Sequence, residues 1–140
     1  MAFAVRDHFL QPIEMVTSSM SPTLTEGDRL FVRKDAYRDR DPLRHDLVTF
    51  MNPTNRKQTW VKRVLGLPGE TFELKNAEVF INGEAVEVAE GFRLDQANFG
   101  PVTIREHHCY ALGDHREKFR DSRHIGSVPM IALVGKVVLN

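Results

Sequence analysis

The sequence has a single cysteine, Cys109, and no excess of charge of either sign. One thiol cannot form a disulfide within the chain, so a hydrophobic core must hold the fold, and 140 residues suffice for one such core. The 19 Lys and Arg residues balance 19 Asp and Glu residues, which removes the long-range field that recruits nucleic acid. We therefore expect one domain, residues 1–140, without a nucleic-acid partner.

A long apolar run is also missing. A membrane-spanning helix needs roughly 18 to 20 apolar residues, and Gly135 and Lys136 interrupt the longest apolar stretch, residues 128–139. Arg6 and its neighbours break the opening residues, so the N-terminus does not have the pattern of a cleavable signal peptide. The chain as given is expected to be soluble.

Helical periodicity is poor, whereas short β-branched and aromatic runs recur between turn signals. Asn82-Gly83 separates two such runs and predicts a type I′ hairpin, because both central residues of that turn need positive φ. Helical turns are expected only at residues 3–10 and 18–24. The pattern predicts an all-β, mainly antiparallel fold, with strands at residues 30–32, 46–51, 59–65, 79–81, 85–88, 109–112 and 131–139.

Three segments could carry chemistry. The first is a cluster of hydroxyl side chains in residues 17–24, which by itself is typical of a turn or a helix N-cap. In the second, residues 60–70, strand alternation places Lys62 on the face of Trp60 and Val64, although a solvated lysine at a strand edge is the usual alternative. The third, residues 113–126, is dense in charges of both signs and alone reads as an exposed loop.

Together and in this order, the three segments resemble the type I signal peptidases, membrane-bound serine endopeptidases that remove signal peptides from exported proteins. The resemblance runs from about Phe9 to Val138. It rests on Ser19-Met20 with 22–24 and 27–28, on residues 61–70 almost residue for residue, and on Gly113-Asp114 with 121–123 and Gly126. It implies a β-rich catalytic core that cuts preproteins after small residues and uses no cofactor or metal.

The resemblance implies that Ser19 is the nucleophile and Lys62 its general base. A free lysine is neutral in only roughly one molecule in a thousand near pH 7.4, so burial must lower its pKa before it can take the serine proton. The backbone N–H of Ser19 and the hydroxyl of Thr17 would stabilise the tetrahedral oxyanion.

Further positions carry over from the family with looser roles. Substrate-pocket positions, each also a plausible core residue, are Met15, Val16, Met20, Leu24, Trp60 and Val61. Positions expected to support the site through ion pairs and hydrogen bonds, with surface ion pairs as the alternative for the charged ones, are Arg63, Asp114, Asp121, Ser122 and Arg123.

Two departures from the family pattern stand out. Phe119 replaces a serine that helps to orient the lysine amine, and Ser122 or a backbone carbonyl is expected to substitute. The family's transmembrane anchor has no counterpart before Arg6. We expect an engineered fragment with a new Met1-Ala2 start rather than a natural anchorless member. In the family context the catalytic domain lies at the cell membrane, on its extracytoplasmic side, and apolar residues should then enter the membrane interface: Phe3, Phe9, Leu10 and Ile13.

Other readings remain open. The self-cleaving repressors share a serine-lysine site, but an Ala-Gly or Cys-Gly cleavage site before Ser19 is not evident in this sequence. A degenerate module that binds signal peptides without cutting them is the non-enzymatic alternative, motivated by Phe119. Metal binding by His107, His108 and Cys109 is not expected, because adjacent strand residues point to opposite faces.

Overall fold

The computed structural model describes residues 9–76, 78–88, 98–115 and 121–138, and these form an antiparallel β structure as predicted. In the described ranges, the helical elements are α1 (Ser122–Ile125) and a 3-10 turn at Met130–Ala132, and Phe9 also has 3-10 conformation. The strands are β1 (Leu10–Glu14), β2 (Arg29–Arg33), β3 (Leu47–Asn52), β4 (Asn55–Gly66), β5 (Thr71–Lys75), β6 (Glu78–Ile81), β7 (Glu84–Val86), β8 (Phe99–Thr103), β9 (His108–Leu112), β10 (Val128–Pro129) and β11 (Leu133–Val138).

The larger sheet has seven strands in the order β1-β2-β11-β3-β4-β9-β10. Strand β2 shows the alternation of a sheet with one buried face: Leu30 and Val32 are buried, while the residues between and beside them face solvent. Strand β4 differs, since all six residues from Val61 to Gly66 are buried. That half of β4 is covered on both faces, and so even its charged residues lie inside the molecule.

The smaller sheet has the order β7-β6-β5-β8. The predicted hairpin joins β6 to β7, with Asn82 at φ 53° and Gly83 at φ 83°, and it pairs Ile81 with Glu84. This is the conformation that a type I′ turn requires, and the prediction is confirmed.

Three clusters of buried side chains make up the core. One lies between β1, β2 and the segment that follows β1 and contains Met20 and Val32. A second, around Phe72, joins the two sheets because Leu65 and Leu112 of the larger sheet pack into it. The third contains Val48, Phe50 and Val64 and lies on the face of β4 that carries Lys62.

The structure also corrects several element predictions. Strands β1, β5, β8 and β10 were not expected, and residues 131–132, predicted as strand, lie in the 3-10 turn. Three of these strands contain proline, Pro12 in β1, Pro101 in β8 and Pro129 in β10, which weakens the strand pattern at positions that are exposed in the sheet. Residues 18–24 form successive turns with one helical bond, from Leu24 N–H to the Met20 carbonyl at 2.9 Å, and not a regular helix. The helical turn expected at residues 3–10 lies mostly outside the described residues.

Candidate active site

Ser19 lies in the segment between β1 and β2. Both ends of this segment are tied together, because Met15 N–H donates to the Asp28 carbonyl and Gly27 N–H donates to the Met15 carbonyl, each at 2.8 Å. The Ser19 side chain is buried. The Thr17 hydroxyl donates to Ser19 Oγ at 3.1 Å, and Ser19 N–H donates back to Thr17 Oγ1 at 3.3 Å. The two hydroxyls predicted to act together are therefore in direct contact.

Lys62 lies on β4, opposite Val48 of β3, and is only 3% exposed. Strand alternation turns its side chain toward Trp60, and Nζ lies 5.1 Å from the centroid of the Trp60 ring. Burial lowers the pKa of Lys62 from 10.5 to about 8; Asp121 and Asp114 oppose this shift and Arg123 adds to it. At pH 7.4 a lysine with this pKa is neutral in about one molecule in five, which is enough for a working base.

Ser19 and Lys62 meet at Gly113, which directly follows β9. A β-carbon added to Gly113 would lie 2.7 Å from the Ser19 carbonyl oxygen and 3.5 Å from Lys62 Nζ. The neighbouring His115 N–H donates to the same Ser19 carbonyl at 2.9 Å. Within the described part of the chain, no hydrogen bond joins Ser19 Oγ to Lys62 Nζ. Such bonds often close only when substrate arrives.

The strand that carries Lys62 also carries one half of a buried ion pair. Arg63 points away from Lys62 and donates two hydrogen bonds to Asp114, at 3.0 and 2.9 Å, and a third to the His45 carbonyl at 3.0 Å. The Thr23 hydroxyl donates to the same carboxylate. Asp114 thereby joins β4 and β9 to the Ser19 segment. The Thr23 contact was not predicted, since nothing in the spacing of Thr23 and Asp114 indicates it.

A second buried pair lies on the other side of the site. Arg123 donates two hydrogen bonds of 3.0 Å to Asp121, whose side chain also accepts from the backbone N–H of Arg123 and caps α1. With side-chain exposures of 7% and 1%, these residues do not form the surface ion pair that was the alternative reading. Ser122 Oγ accepts the Ala111 N–H at 2.9 Å, so it fixes α1 to β9.

A cleft of about 350 Å³ opens above Ser19 and Lys62. One wall is β1 and the residues after it, 13–17, and the other is residues 58–62 of β4. Asn52 and Thr54, which were not predicted as site residues, close one end with polar side chains. Residues 59–62 pair with β3 on one edge, and pairing with β9 begins only at Arg63. The other edge of this stretch faces the cleft, where an extended peptide could pair with it.

The predicted pocket residues fall into two groups. Met15, Val16, Trp60 and Val61 line the cleft, and Val16 is the most open of them at 57% exposure. The other two, Met20 and Leu24, are fully buried in the first core cluster and do not line the cleft. Their pocket role stays a prediction. In this structure their side chains pack in the core beneath the cleft and anchor the Ser19 segment.

Several predictions concern residues at the margins of the structure. Phe119, Phe3 and Arg6 lie outside the described residues. Phe9, Leu10 and Ile13 are half-buried, and Ile13 packs against the first core cluster. None of the helices in the described ranges is long and apolar enough to cross a membrane.

Cys109 belongs to the core. It is fully buried in the third cluster, and burial raises the pKa of its thiol to about 12. Over residues 9–76, 78–88, 98–115 and 121–138, no three His, Cys, Asp or Glu side chains come together in a way that could hold a metal ion.

Comparison with known proteins shows which family the chain belongs to. The family model described as "Signal peptidase, peptidase S26" matches residues 1–140. A probable signal peptidase I-2 of Synechocystis sp. is 33% identical over 97% of the chain, which spans 65% of that relative's length. Signal peptidase I P of Bacillus subtilis subsp. natto is 32% identical, over 89% of the chain and 72% of its own length. A crystal structure of a signal peptidase I from Enterococcus faecalis V583 aligns with a TM-score of 0.59 and 27% identity, covering 71% of this chain and 98% of that one. The predicted resemblance is confirmed, and the chain belongs to the signal peptidase family, peptidase S26.

Proposed function

We propose that residues 1–140 form one catalytic domain that removes signal peptides from exported preproteins, with Ser19 as nucleophile and Lys62 as general base. The observation that carries this proposal is the burial of Lys62 in the cleft that also holds the Ser19 hydroxyl, with its pKa lowered to about 8. The packing of Leu65 and Leu112 between the two sheets supports treating the chain as one unit.

The reaction follows the chemistry of an acyl transfer. Lys62 Nζ accepts the hydroxyl proton as Ser19 Oγ attacks the scissile carbonyl carbon, and the resulting ammonium returns a proton to the departing amine. Water, deprotonated by the same lysine, then hydrolyses the acyl-enzyme. In the free protein, Ser19 N–H donates to Thr17 Oγ1 and the Thr17 hydroxyl donates to Ser19 Oγ. In the reaction, both donors turn toward the substrate carbonyl oxygen and stabilise its negative charge.

Substrate would bind as an extended strand between the two walls of the cleft. The edge of residues 59–62 with which no described strand pairs supplies backbone hydrogen bonds, and Val16 and Trp60 contact the side chains before the cut. The limited volume of the cleft, about 350 Å³, favours small side chains at these positions. The two buried ion pairs hold β4, β9 and α1 in place around the lysine and take no part in proton transfer.

The test is cleavage of a fluorogenic signal-peptide substrate with alanine at the −1 and −3 positions. Ser19→Ala and Lys62→Met should each lower kcat/KM about a thousandfold or more. Lys57→Met is the matched control, because Lys57 is an exposed lysine on the same strand, and it should retain wild-type activity. Full activity of Ser19→Ala or Lys62→Met, with unchanged thermal unfolding, would overturn the assignment.

The same assay separates the alternative functions. Mass spectrometry of the protein incubated alone reports self-cleavage, which the proposal does not predict. Binding of the peptide without any cleavage would instead identify a signal-peptide-binding relative.

A membrane location is the remaining part of the proposal. If the domain works at the extracytoplasmic membrane surface, apolar residues near the start of β1, among them Leu10 and Ile13, should enter the interface. We expect non-ionic detergent or lipid vesicles to raise activity. Equal activity with and without them would remove the membrane role and leave the peptidase assignment intact.

A further inference from the structure

Trp60 lines the cleft and also makes two contacts with neighbouring side chains, Phe50 and Lys62. Its ring lies edge-on to Phe50, its cross-strand partner on β3, with centroids 5.9 Å apart and planes at 72°. The face of the same ring lies 5.1 Å from Lys62 Nζ, within the range of a cation–π contact. Phe50 is 2% exposed and fixed in the core, so the contact with it holds the indole in one orientation.

We propose that Trp60 is a positioning residue for the general base: its ring face fixes the Lys62 amine and stabilises the ammonium that forms when the Ser19 proton is transferred. This inference rests on the proposed function of Lys62. It goes beyond a substrate-pocket role for Trp60, because the indole would act on the lysine through a contact that exists before substrate arrives.

The chemistry explains why an aromatic face is useful here. When the Ser19 O–H bond breaks, its proton forms a new N–H bond at Nζ, and a positive charge appears on a side chain that is only 3% exposed. The negative face of an indole stabilises such a charge and accepts no proton, so it cannot compete with Nζ for the Ser19 proton. A carboxylate at the same distance would stabilise the ammonium far more strongly and would raise the lysine pKa out of the useful range.

Other charged groups face Lys62 and must be weighed. Asp121 and Asp114 favour its charged form, and Arg123 disfavours it. Each carboxylate also accepts two hydrogen bonds from an arginine, Asp114 from Arg63 on the opposite face of β4 and Asp121 from Arg123, so their attraction for the lysine is shared. The ring face adds a contact that is independent of these pairs.

The experiment uses the fact that Trp60 is the only tryptophan of the sequence. Growth on fluorinated tryptophans replaces this one ring by analogues of nearly the same shape whose faces are progressively less negative. The pH dependence of kcat/KM is then measured for each analogue, together with Trp60→Phe and Trp60→Leu. Weaker ring faces stabilise the ammonium less, so the pKa of Lys62 falls and the ascending limb of the profile moves to lower pH.

We expect the limb to move in proportion to the number of fluorine atoms, by about half a pH unit to one unit for Trp60→Leu, with kcat about tenfold lower. Trp60→Phe should lie between wild type and Trp60→Leu. Val16→Ala, on the opposite wall of the cleft, is the control and should change KM without moving the limb. A limb that stays in place through the fluorinated series overturns the inference. Lys62→Met tests the proposed function separately, since its retained activity would refute the base and not merely the role of Trp60.

Discussion

At the scale of single residues, Lys62 has the least favourable electrostatic environment in the site. Its pKa is lowered from 10.5 to about 8, so the folded protein binds fewer protons than the unfolded chain between these two values. Stability should therefore rise as the pH increases from 8 to 10.5, and below pH 8 the full cost of burying the ammonium is present. That cost is on the order of 3 kcal/mol.

Lys62→Met should accordingly be more stable than wild type at pH 7, by on the order of 1 to 3 kcal/mol, because methionine keeps an apolar stem and carries no charge. Urea unfolding at pH 7 and at pH 10.5 measures this, and the difference between the two proteins should shrink at the higher pH. If Lys62→Met is the less stable protein at pH 7, the lysine is not a destabilising group and its lowered pKa is in doubt.

The sequence was sufficient to propose Ser19 and Lys62 as the site residues, and the contacts that bring them together could not be predicted. Ser19 and Lys62 follow from the ordered motifs, and strand alternation was sufficient to place Lys62 beside Trp60. The attachment of Ser122 to Ala111 and the burial of Met20 depend on distances between elements that are far apart in sequence. Periodicity within one element carries no information on such distances.

At the scale of elements, the end of β9 is fitted against the Ser19 segment with no room for a side chain. Gly113→Ala would place a β-carbon 2.7 Å from the Ser19 carbonyl oxygen, closer than real β-carbons approach. We expect this variant to lose at least about tenfold in kcat, because a shift of this size misplaces Ser19, the proposed nucleophile. Steady-state kinetics on the fluorogenic peptide measure it.

Gly83→Ala, in the smaller sheet, is the matched control. Gly83 has φ 83° in the β6–β7 hairpin and nothing within 4 Å of an added β-carbon. It should cost about 1 kcal/mol of stability through backbone strain and leave activity unchanged. Equal loss of activity in both variants would mean that Gly113→Ala acts through general destabilisation.

The elements differ in how well local sequence specifies them. The hairpin at Asn82-Gly83 was predictable because its turn chemistry is local. Strands β1 and β8 were not, because Pro12 and Pro101 interrupt their patterns and pairing with β2 and β5 decides their conformation. Helix α1 was hidden in a charged segment, although Asp121 has the side chain of a good N-cap.

At the scale of the whole molecule, Asp114 is the group that connects the separate parts of the site. It is 1% exposed and binds Arg63 of β4 and Thr23 of the Ser19 segment while lying just after β9. Asp114→Asn keeps the shape and removes the charge that the buried guanidinium pairs with. We expect a loss of about 3 kcal/mol in the free energy of unfolding, measured by urea titration.

The exposed pair formed by Arg33 and Asp35 provides the comparison. Asp35→Asn should barely change the unfolding midpoint, since solvent screens an exposed pair. Comparable midpoints for Asp114→Asn and Asp35→Asn would show that the buried pair contributes no more than a surface one.

Side-chain alternation along β4 places two chemically different cations, Lys62 and Arg63, on opposite faces of the strand. Lys62 faces the cleft, and burial lowers its pKa to about 8, whereas the Arg63 guanidinium faces Asp114 and donates to its carboxylate. A slip of β4 by one residue would exchange them and place the guanidinium of Arg63 beside Ser19. The pairing register of β4 therefore decides both whether the strand folds correctly and which cation faces the cleft. Under the proposed mechanism, a strand paired one residue out of register would give an inactive protein and not merely a less active one.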